Sequence, residues 1–281
     1  MRPNFDYYMA RLDDWPFEVG VDLSVREAVP IDGLQFRLHV RLGLNNPSDD
    51  GLSTKEEDAL LALIEDEMLH TLDSADYRFV AAVTHRKART LVFYSRHSQM
   101  EGEAIHKVLT DAKTHNAKVI SEEDPEWTEY TDVLYPNEEM LHQIMDRKVL
   151  KEFDRRGDDP ASIHAIEPCF VNLCEEGVEI CRSGLEAEGF VVTDVSETSR
   201  NGTGAKEFSL KARVKSPLGL AILDDFRHSW LSIAKKAKGS YRGWSSELVP
   251  ISGDNNDHGL GGHLDDFPDP VTSGESDEDK S

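Results

Sequence analysis

The chain has 281 residues, 38% of them hydrophobic, which is enough for two domains that each bury a core. Its 31 Lys and Arg are outnumbered by 54 Asp and Glu, so the formal net charge at pH 7 is -23. This balance argues against direct nucleic-acid binding, which needs a basic face, and favours a protein partner with a basic surface. A simpler interpretation is that the charge only keeps the protein soluble.

The sequence contains no segment typical of secretion or membrane insertion. The N-terminus lacks the continuous apolar stretch of a secretory signal, and no window approaches the roughly 18 apolar residues of a membrane span. The three cysteines, Cys169, Cys174 and Cys181, are odd in number and form no C-x-x-C pair, so we expect reduced thiols in a cytoplasmic protein. Cys174 and Cys181 fall on a predicted helix, and both are predicted to be small core residues.

Alternation of apolar and polar residues predicts the strands of the N-terminal half. Every second residue is apolar from Val19 to Val25 and from Leu34 to Leu42. Ser53 and Glu56 have the spacing of a capping box, followed by apolar residues at helical spacing. Strands are predicted at 4–12, 17–25, 34–42, 77–86, 90–97 and 117–121, and helices at 53–72 and 101–115. From the third strand onward the order is β-α-β-β-α-β, the split arrangement of a ferredoxin-like domain, here preceded by a hairpin.

The C-terminal half repeats this order after a long helix, which is predicted from about Asn137 to Arg156 and ends at Gly157. Strands are predicted at 162–172, 189–195, 208–214 and 239–248, and helices at 174–188 and 217–238. The predicted fold class is therefore α+β, with two ferredoxin-like domains in tandem. We expect the first domain to comprise residues 1–135 and the second to comprise residues 136–250.

Residues 251–281 differ in composition from the rest of the chain. They contain nine Asp and Glu but one Lys, with many Gly, Ser and Pro. Such a segment has too little apolar surface to offset the entropy of ordering, so we predict a disordered acidic tail. Leu264, Phe267 and Val271 could form a short contact motif, although scattered apolar residues in a tail more often have no role.

The stretch KKAKGSYRGWSSELV, from Lys235 to Val249, separates the folded part from the tail. We predict a basic helix end, a stop at Gly239, and a strand that carries the candidate residues Tyr241, Arg242, Gly243 and Trp244. The two aromatic side chains either complete the core or contact a partner, and core packing is the commoner role of strand aromatics. Gly243 is predicted to provide backbone freedom or close approach.

Motifs of known chemistry are missing from the sequence. It contains no G-x-S-x-G elbow, no G-x-x-x-x-G-K-[ST] loop and no H-E-x-x-H helix. His85, Arg86, Arg96 and His97 fall on neighbouring predicted strands, where they could bind an anion or act as general acid and base. The alternative is an ordinary solvated strand face. We predict no catalytic residue, no cofactor and no metal ligand.

Two segments resemble known families. The motif RGDDP at 156–160, the strand SIHAIEPCFV at 162–171 and the closing GSYRGW at 239–244 resemble the bacterial regulator of ribonuclease E activity, type B. Arg242 stands where members of that family usually have an acidic residue. The aromatic start FDYYMARLDDWPFEVGVDL and the segment from DPEW at 124–127 to Tyr135 and Pro136 resemble domain of unknown function 695.

The first resemblance implies a non-catalytic protein that binds the endonuclease ribonuclease E and lowers its RNA-cleaving activity, whereas the second implies no known function. The principal hypothesis is therefore a cytoplasmic regulator that binds a protein partner, with a ribonuclease as the candidate. A small-ligand sensor or enzyme that uses the face of His85, Arg86, Arg96 and His97 is one alternative. A structural adaptor, whose two domains serve two partners, is the other.

Overall fold

A computed structural model of the chain describes residues 4–72, 74–99, 110, 115–199 and 206–251. The chain divides into two compact units, Met1–Ile144 and Met145–Ser281, and the division falls inside the helix Glu138–Arg155. Within the described ranges, no helix is both long and apolar enough to cross a membrane. The predicted tail lies outside the described residues apart from Ile251, as does the predicted helix 101–115 apart from Thr110 and His115.

The first unit is built on a six-stranded antiparallel sheet in the order β1-β2-β4-β5-β3-β6. Its elements are β1 Phe5–Leu12, β2 Trp15–Asp22, β3 Phe36–Gly43, α1 Lys55–Thr71, β4 Tyr77–His85, β5 Ala88–Ser95, β6 Lys118–Glu123 and the first part of α2 Glu138–Arg155. The last four strands of the sheet have the order of a ferredoxin-like domain, and the hairpin of β1 and β2 extends the sheet beside β4. The predicted α+β class and the added hairpin are confirmed.

Both faces of this sheet bury apolar side chains. On one face, Leu61 and Met68 of α1 share a core with Leu38 and Phe93 of the central strands. On the other face, Val92 and Tyr94 of β5 form a second core with residues of β2 and β4 and with the aromatic residues that follow β6. Successive side chains of a strand point to opposite faces of the sheet, so one strand can contribute to both cores.

Two local predictions in this unit are wrong. The second strand ends at Asp22 instead of Val25, because the Asp22 carboxylate accepts a hydrogen bond from the Ser24 amide and starts a 3-10 turn. The cap of α1 is Thr54, whose hydroxyl accepts from the Glu57 amide, and Ser53 instead donates to Asp58. Both differences arise from side chains that compete for nearby backbone groups.

Asp124, which begins the DPEW segment, is a buried acceptor for several donors. Its carboxylate accepts from the Tyr94 hydroxyl at 2.5 Å, from the amide and the hydroxyl of Thr128 at 2.8 Å, and from the Glu129 amide at 3.1 Å. Burial acts to raise the pKa of Asp124, but these hydrogen bonds outweigh burial and hold that pKa below its usual range. The segment is thus fixed by its charged first residue.

Trp127, the last residue of the DPEW segment, lies fully buried over the same sheet. Its ring stacks on Tyr94 with a centroid separation of 3.7 Å and an interplanar angle of 6°. Its indole N–H donates to the Leu34 carbonyl at 2.9 Å, and the Tyr130 hydroxyl donates to the Asp22 carbonyl at 2.8 Å. Each buried polar group of this aromatic cluster therefore has a partner, as burial requires.

The second unit has a four-stranded antiparallel sheet in the order β10-β7-β9-β8, which is the predicted ferredoxin-like order. Its elements are β7 His164–Leu173, α3 Glu175–Ala187, β8 Val191–Ser199, β9 Lys206–Ser216, α4 Leu220–Lys236 and β10 Ser240–Ser245. Apolar residues of both helices, among them Leu185 and Trp230, share one core with Phe170 and Leu210 of the sheet. The helices thus cover one face of the sheet.

The cysteines of this unit occupy three different environments, and all three are free. Cys181 is buried in the core, as predicted, and burial raises the pKa of its thiol to about 11. Cys174 is exposed, so its prediction as a core residue is wrong. It precedes α3 as the N-cap, and its sulfur accepts from the Gly177 amide at 3.4 Å.

We expect Asp124 to make stability depend on pH in the acid range. Because its folded-state pKa lies below the unfolded value of about 3.9, its contribution is complete above that value and is lost as the pH falls through the folded pKa. Asp124→Asn should therefore be less stable than the parent chain at neutral pH, and the difference should shrink below about pH 4. Urea unfolding across this pH range measures both chains. An equal difference in unfolding free energy at neutral and acid pH would contradict the assignment.

Candidate partner-binding surfaces of the second unit

The candidate residues 241–244 lie on β10, at one edge of the sheet. Tyr241 and Trp244 are three residues apart, so in a regular strand their side chains would point to opposite faces. Tyr241 is opposite Phe170 and Gly243 is opposite Cys169, which leaves Arg242 as the extra residue of a β-bulge. Both aromatic side chains consequently face the core, 4% and 5% exposed, while Arg242 is exposed.

Gly243 makes this bulge possible. Its φ angle of +131° lies in a region that residues with a Cβ atom rarely adopt. No heavy atom lies within 4 Å of the position that a Cβ would occupy, so backbone conformation, and not crowding, favours glycine here. The predicted backbone freedom is therefore what the strand uses, and the predicted close approach is absent at this position.

The indole of Trp244 is joined to a buried ion pair. Its Nε1 donates to Oδ1 of Asp146 at 2.7 Å, and the second oxygen of Asp146 accepts from Arg227. Arg227 also donates to Asp224, one turn earlier on α4. Asp146 and Arg227 are each 3% exposed. This network joins α2, α4 and β10 at their buried faces.

Asp146 is ionisable in an environment that disfavours charge. Burial raises the pKa of its carboxyl, while the hydrogen bond from Trp244 and the positive charge of Arg227 act in the opposite direction. Burial likewise raises the pKa of Tyr241, which is close enough to Asp146 and Arg227 to sense both charges. The side chains of Tyr241 and Trp244 are therefore enclosed beside a buried ionic network, as in a structural role.

A second buried pair fixes the chain after β10. Asp158 accepts from the Val249 amide at 2.7 Å and is 2.9 Å from Nε2 of His164, whose Nδ1 is 2.9 Å from the Ser162 carbonyl. The Ile251 amide donates to the Gly157 carbonyl at 3.1 Å. The chain therefore leaves the described structure beside the residues that precede β7.

The uncovered face of the sheet carries a group of cations. On β9 the buried residues Leu210 and Ala212 alternate with exposed Lys211, Arg213 and Lys215, which point away from the core. We define the basic stripe as these three residues together with Arg242 of β10. Among the described carboxylates near these cations, Glu167 accepts from Arg213 at 2.6 Å and Asp194 is opposite Lys211.

The helical side of the unit has the opposite charge at α3. Five carboxylates on this helix and at its C-cap are exposed, and we refer to them as the acidic face of α3: Glu175, Glu176, Glu179, Glu186 and Glu188. Arg182, a basic residue on the same helix, lies 3.8 Å from Glu179. The acidic face is therefore a net negative surface on the side of the unit opposite the basic stripe.

A shallow apolar pocket of about 180 Å³ lies beside α2. It is lined by Leu150, Phe153, Asp154, Asp158, Pro160, Leu218 and Gly219. Ligand sites are generally larger and combine apolar walls with several convergent polar groups. The Asp158 carboxylate is already engaged by His164 and Val249, so this pocket lacks that combination.

The face of His85, Arg86, Arg96 and His97 does not exist as one site, so this alternative is wrong. His85 pairs with Ala88 beside the turn between β4 and β5, whereas Arg96 and His97 follow the opposite end of β5. The two groups are separated by the length of the hairpin, about 24 Å at 3.4 Å per residue. Arg86 pairs with Asp13 and Arg96 with Asp76, so each end has its own local partner.

Among the described residues, no group of three or more His, Cys, Asp and Glu side chains could hold a metal ion. Sequence reasoning missed the buried network of Asp146, Arg227 and Trp244. The spacing of Asp224 and Arg227, one helical turn apart, was the available signal. Nothing local indicates that Asp146, distant in sequence, completes it.

We expect Trp244→Ala to lower the free energy of unfolding by about 3–5 kcal/mol, because it removes a buried ring and one donor to Asp146. Arg242→Ala is the matched control on the same strand, and its effect should stay within about 0.5 kcal/mol, since Arg242 is exposed. Urea unfolding of the full chain measures both. Unchanged stability in Trp244→Ala, with loss of partner binding, would instead make Trp244 a contact residue.

Arg227→Met should destabilise the chain by about 3–5 kcal/mol, because it leaves Asp146 buried without its cation. Adding Asp146→Asn removes that uncompensated charge and retains an acceptor for Trp244. The double variant should therefore be more stable than Arg227→Met alone, as measured by the same unfolding curves. A double variant less stable than either single variant would show that the charge is not the origin of the loss.

Comparison with known proteins matches two successive segments of the chain to two different families. Residues 3–135 match the model of a family of unknown function, DUF695, and residues 143–246 match the model of the family Regulator of ribonuclease activity B. A search of curated proteins finds no match.

Among solved structures, a crystal structure of an unknown protein from Galdieria sulphuraria is 12% identical, with a TM-score of 0.22, and the match covers 76% of this chain and 98% of the other. One described as "putative glycine cleavage system transcriptional repressor" is 9% identical, with a TM-score of 0.22 and coverage of 77% and 98%. The family matches confirm both resemblances: the chain joins a segment that matches DUF695 to a following segment that matches the regulator of ribonuclease activity B.

Proposed function

We propose that this protein is a non-catalytic regulator that binds an endoribonuclease of the ribonuclease E type and lowers its RNA-cleaving activity. The observation that carries the proposal is the match of residues 143–246 to the regulator of ribonuclease activity B. This match spans the whole sheet of the second unit, from His164 to Ser245, so it concerns a complete fold and not an isolated motif.

The charge of the chain supports a basic partner. At -23 the chain repels RNA as a whole, whereas a nuclease surface that holds RNA is basic and is attracted by the same charge. The acidic face of α3 offers five exposed carboxylates on a rigid helix. We therefore assign the first contact with the nuclease to this face, by electrostatic steering rather than by direct binding of RNA.

The candidate residues of β10 take different parts in this proposal. Tyr241, Gly243 and Trp244 maintain the fold of the second unit, because the two rings are buried and the glycine forms the bulge. Arg242 alone presents its side chain outward. We further place the protein in the cytoplasm, because its three free cysteines accord with a reducing environment.

The test is the cleavage of a fluorescent RNA oligonucleotide by a purified ribonuclease E-type enzyme, with increasing amounts of the full-length chain. We expect the cleavage rate to fall with concentration, and the effect to weaken with added salt as screening shortens the Debye length from about 8 Å at 0.15 M to about 3 Å at 1 M. An unchanged rate, together with no retention of the nuclease at low salt, would overturn the proposal.

A pair of charge variants locates the contact. Neutralising Glu175, Glu179 and Glu186 to Gln should weaken inhibition, chiefly by slowing association. The matched control removes three exposed carboxylates from α1 in the first unit: Glu56→Gln, Asp66→Asn and Glu67→Gln. Equal weakening in both variants would show that only the total charge matters, and would remove the assignment to α3.

A further inference from the structure

The basic stripe is unexpected on a chain with a net charge of -23. Lys211, Arg213, Lys215 and Arg242 lie on the sheet face that the helices of the second unit leave uncovered. Among the described residues, Glu167 accepts from Arg213 and Asp194 is opposite Lys211, while Lys215 adds a third cation to this part of β9, so the three exposed cations of β9 outnumber these two carboxylates. The chain thus presents an open surface whose charge complements that of an acidic segment.

Cys169 shows that the two strands contribute to one continuous surface. It lies on β7 between β9 and β10, opposite Lys211 on one side and Gly243 on the other. Burial raises the pKa of its thiol, the charges of Lys211 and Arg242 act to lower that pKa, and the charge of Asp194 acts to raise it. Lys211 is directly opposite Cys169, and Arg242 is the bulge residue next to Gly243, so the strand register places both cations beside Cys169.

The geometry of the stripe suits an extended polypeptide more than RNA. Lys211, Arg213 and Lys215 repeat at two-residue intervals, about 6.8 Å apart, which is also the spacing of alternate side chains in an extended peptide. Recognition of single-stranded RNA on a sheet depends on aromatic rings that stack with bases. Tyr241 and Trp244 of this sheet face the core instead, so they offer no such platform.

The chain itself supplies an acidic segment that can reach the stripe. The last described residue, Ile251, is held beside Gly157, and Asp158 in turn contacts His164 at the start of β7. At this end of the sheet Ala165 of β7 is opposite Lys215, the nearest cation of the stripe. The stripe spans about 14 Å along β9, whereas the chain from Ile251 to Asp265, about 14 residue steps, can span up to about 46 Å.

We propose that the acidic segment of residues 254–279 binds the basic stripe of the same chain. The sequence gives this segment nine carboxylates, at Asp254, Asp257, Asp265, Asp266, Asp269, Glu275, Asp277, Glu278 and Asp279. Tethering supplies an effective concentration on the order of millimolar, so even weak charge pairing fills the stripe. This binding is independent of the proposed function, because the acidic face of α3 is a separate surface.

Carbodiimide cross-linking of the full-length protein tests the proposal, because the reagent joins a lysine Nζ to a carboxylate in direct contact without a spacer. We expect peptide mapping of the monomer to show Lys211 or Lys215 linked to carboxylates of residues 254–279. The matched controls are Lys235 and Lys236, which are exposed at the end of α4 outside the stripe and should give fewer such links. Salt should reduce the links to the stripe.

The other outcomes each overturn the proposal. Equal linkage to Lys235, Lys236 and the stripe lysines would indicate nonspecific encounters of a charged segment. Links found only in covalent dimers would assign the stripe to a second copy. Loss of the links on addition of a short single-stranded RNA, with formation of a stable complex, would assign the stripe to nucleic acid. None of these results depends on a ribonuclease, so failure here leaves the proposed function untouched.

The thiol of Cys169 gives an independent measurement that leaves the stripe unaltered. In a Cys174→Ser background, which retains an oxygen acceptor at the N-cap, Cys169 is the more accessible of the two remaining thiols because Cys181 is buried. Changing Asp265, Asp266 and Asp269 to Asn should give a severalfold faster reaction of Cys169 with iodoacetamide. The control variant with Glu56→Gln, Asp66→Asn and Glu67→Gln should not. Equal rates in all three chains would contradict coverage of the stripe.

Discussion

The second unit depends on the burial of one carboxylate, that of Asp146. An isolated charge in a protein interior costs several kcal/mol even after relaxation, so Asp146 is tolerated only because its two oxygens have separate donors. Trp244 satisfies one oxygen and Arg227 the other, and Arg227 is itself shared with Asp224. Since the three groups come from different elements, the network is complete only when α2, α4 and β10 occupy their native positions. The ion pair therefore favours one arrangement over other compact ones, beyond its net contribution to stability.

The first unit also contains a buried carboxylate, that of Asp124, but there the effects of burial and of hydrogen bonding on the pKa are balanced differently. Asp124 is buried, yet it accepts hydrogen bonds from a tyrosine hydroxyl and from the amides of the turn that follows it. These donors are numerous enough to lower its pKa, whereas at Asp146 burial prevails and the pKa is raised. The difference follows from backbone geometry. A carboxylate at the start of a turn meets several free amides, while one inside a helix depends on side chains from other elements.

The sequence is sufficient to predict strand order, because each strand carries its own alternation and the helices between strands restrict the connections. It is insufficient where a local irregularity interrupts the alternation, and where proximity depends on position along the paired strands. Asp22 ends β2 early through a local hydrogen bond that alternation does not report. The bulge at Arg242 reverses the parity of β10, so Tyr241 and Trp244 share a face that their spacing alone assigns to opposite sides. His85 and His97 belong to neighbouring strands, but they lie at opposite ends of the hairpin. Antiparallel pairing determines which strands are neighbours and also which residues along them are opposite each other.

The second unit carries its charges on two separate surfaces, the acidic face of α3 and the basic stripe, and the two act on a partner at different distances. The acidic face of α3 can attract a basic partner over about a Debye length, so it operates before contact and changes the rate of association. The basic stripe is surrounded by a chain of the opposite sign, so its field is weakened at a distance and acts mainly on groups already close to the sheet. A tethered acidic segment meets that condition, whereas a free polyanion must first cross the field of the whole molecule. A partner that binds the stripe therefore has to displace the acidic segment, whose effective concentration is fixed by the chain. The stripe consequently selects ligands that bind it more tightly than simple charge pairing allows.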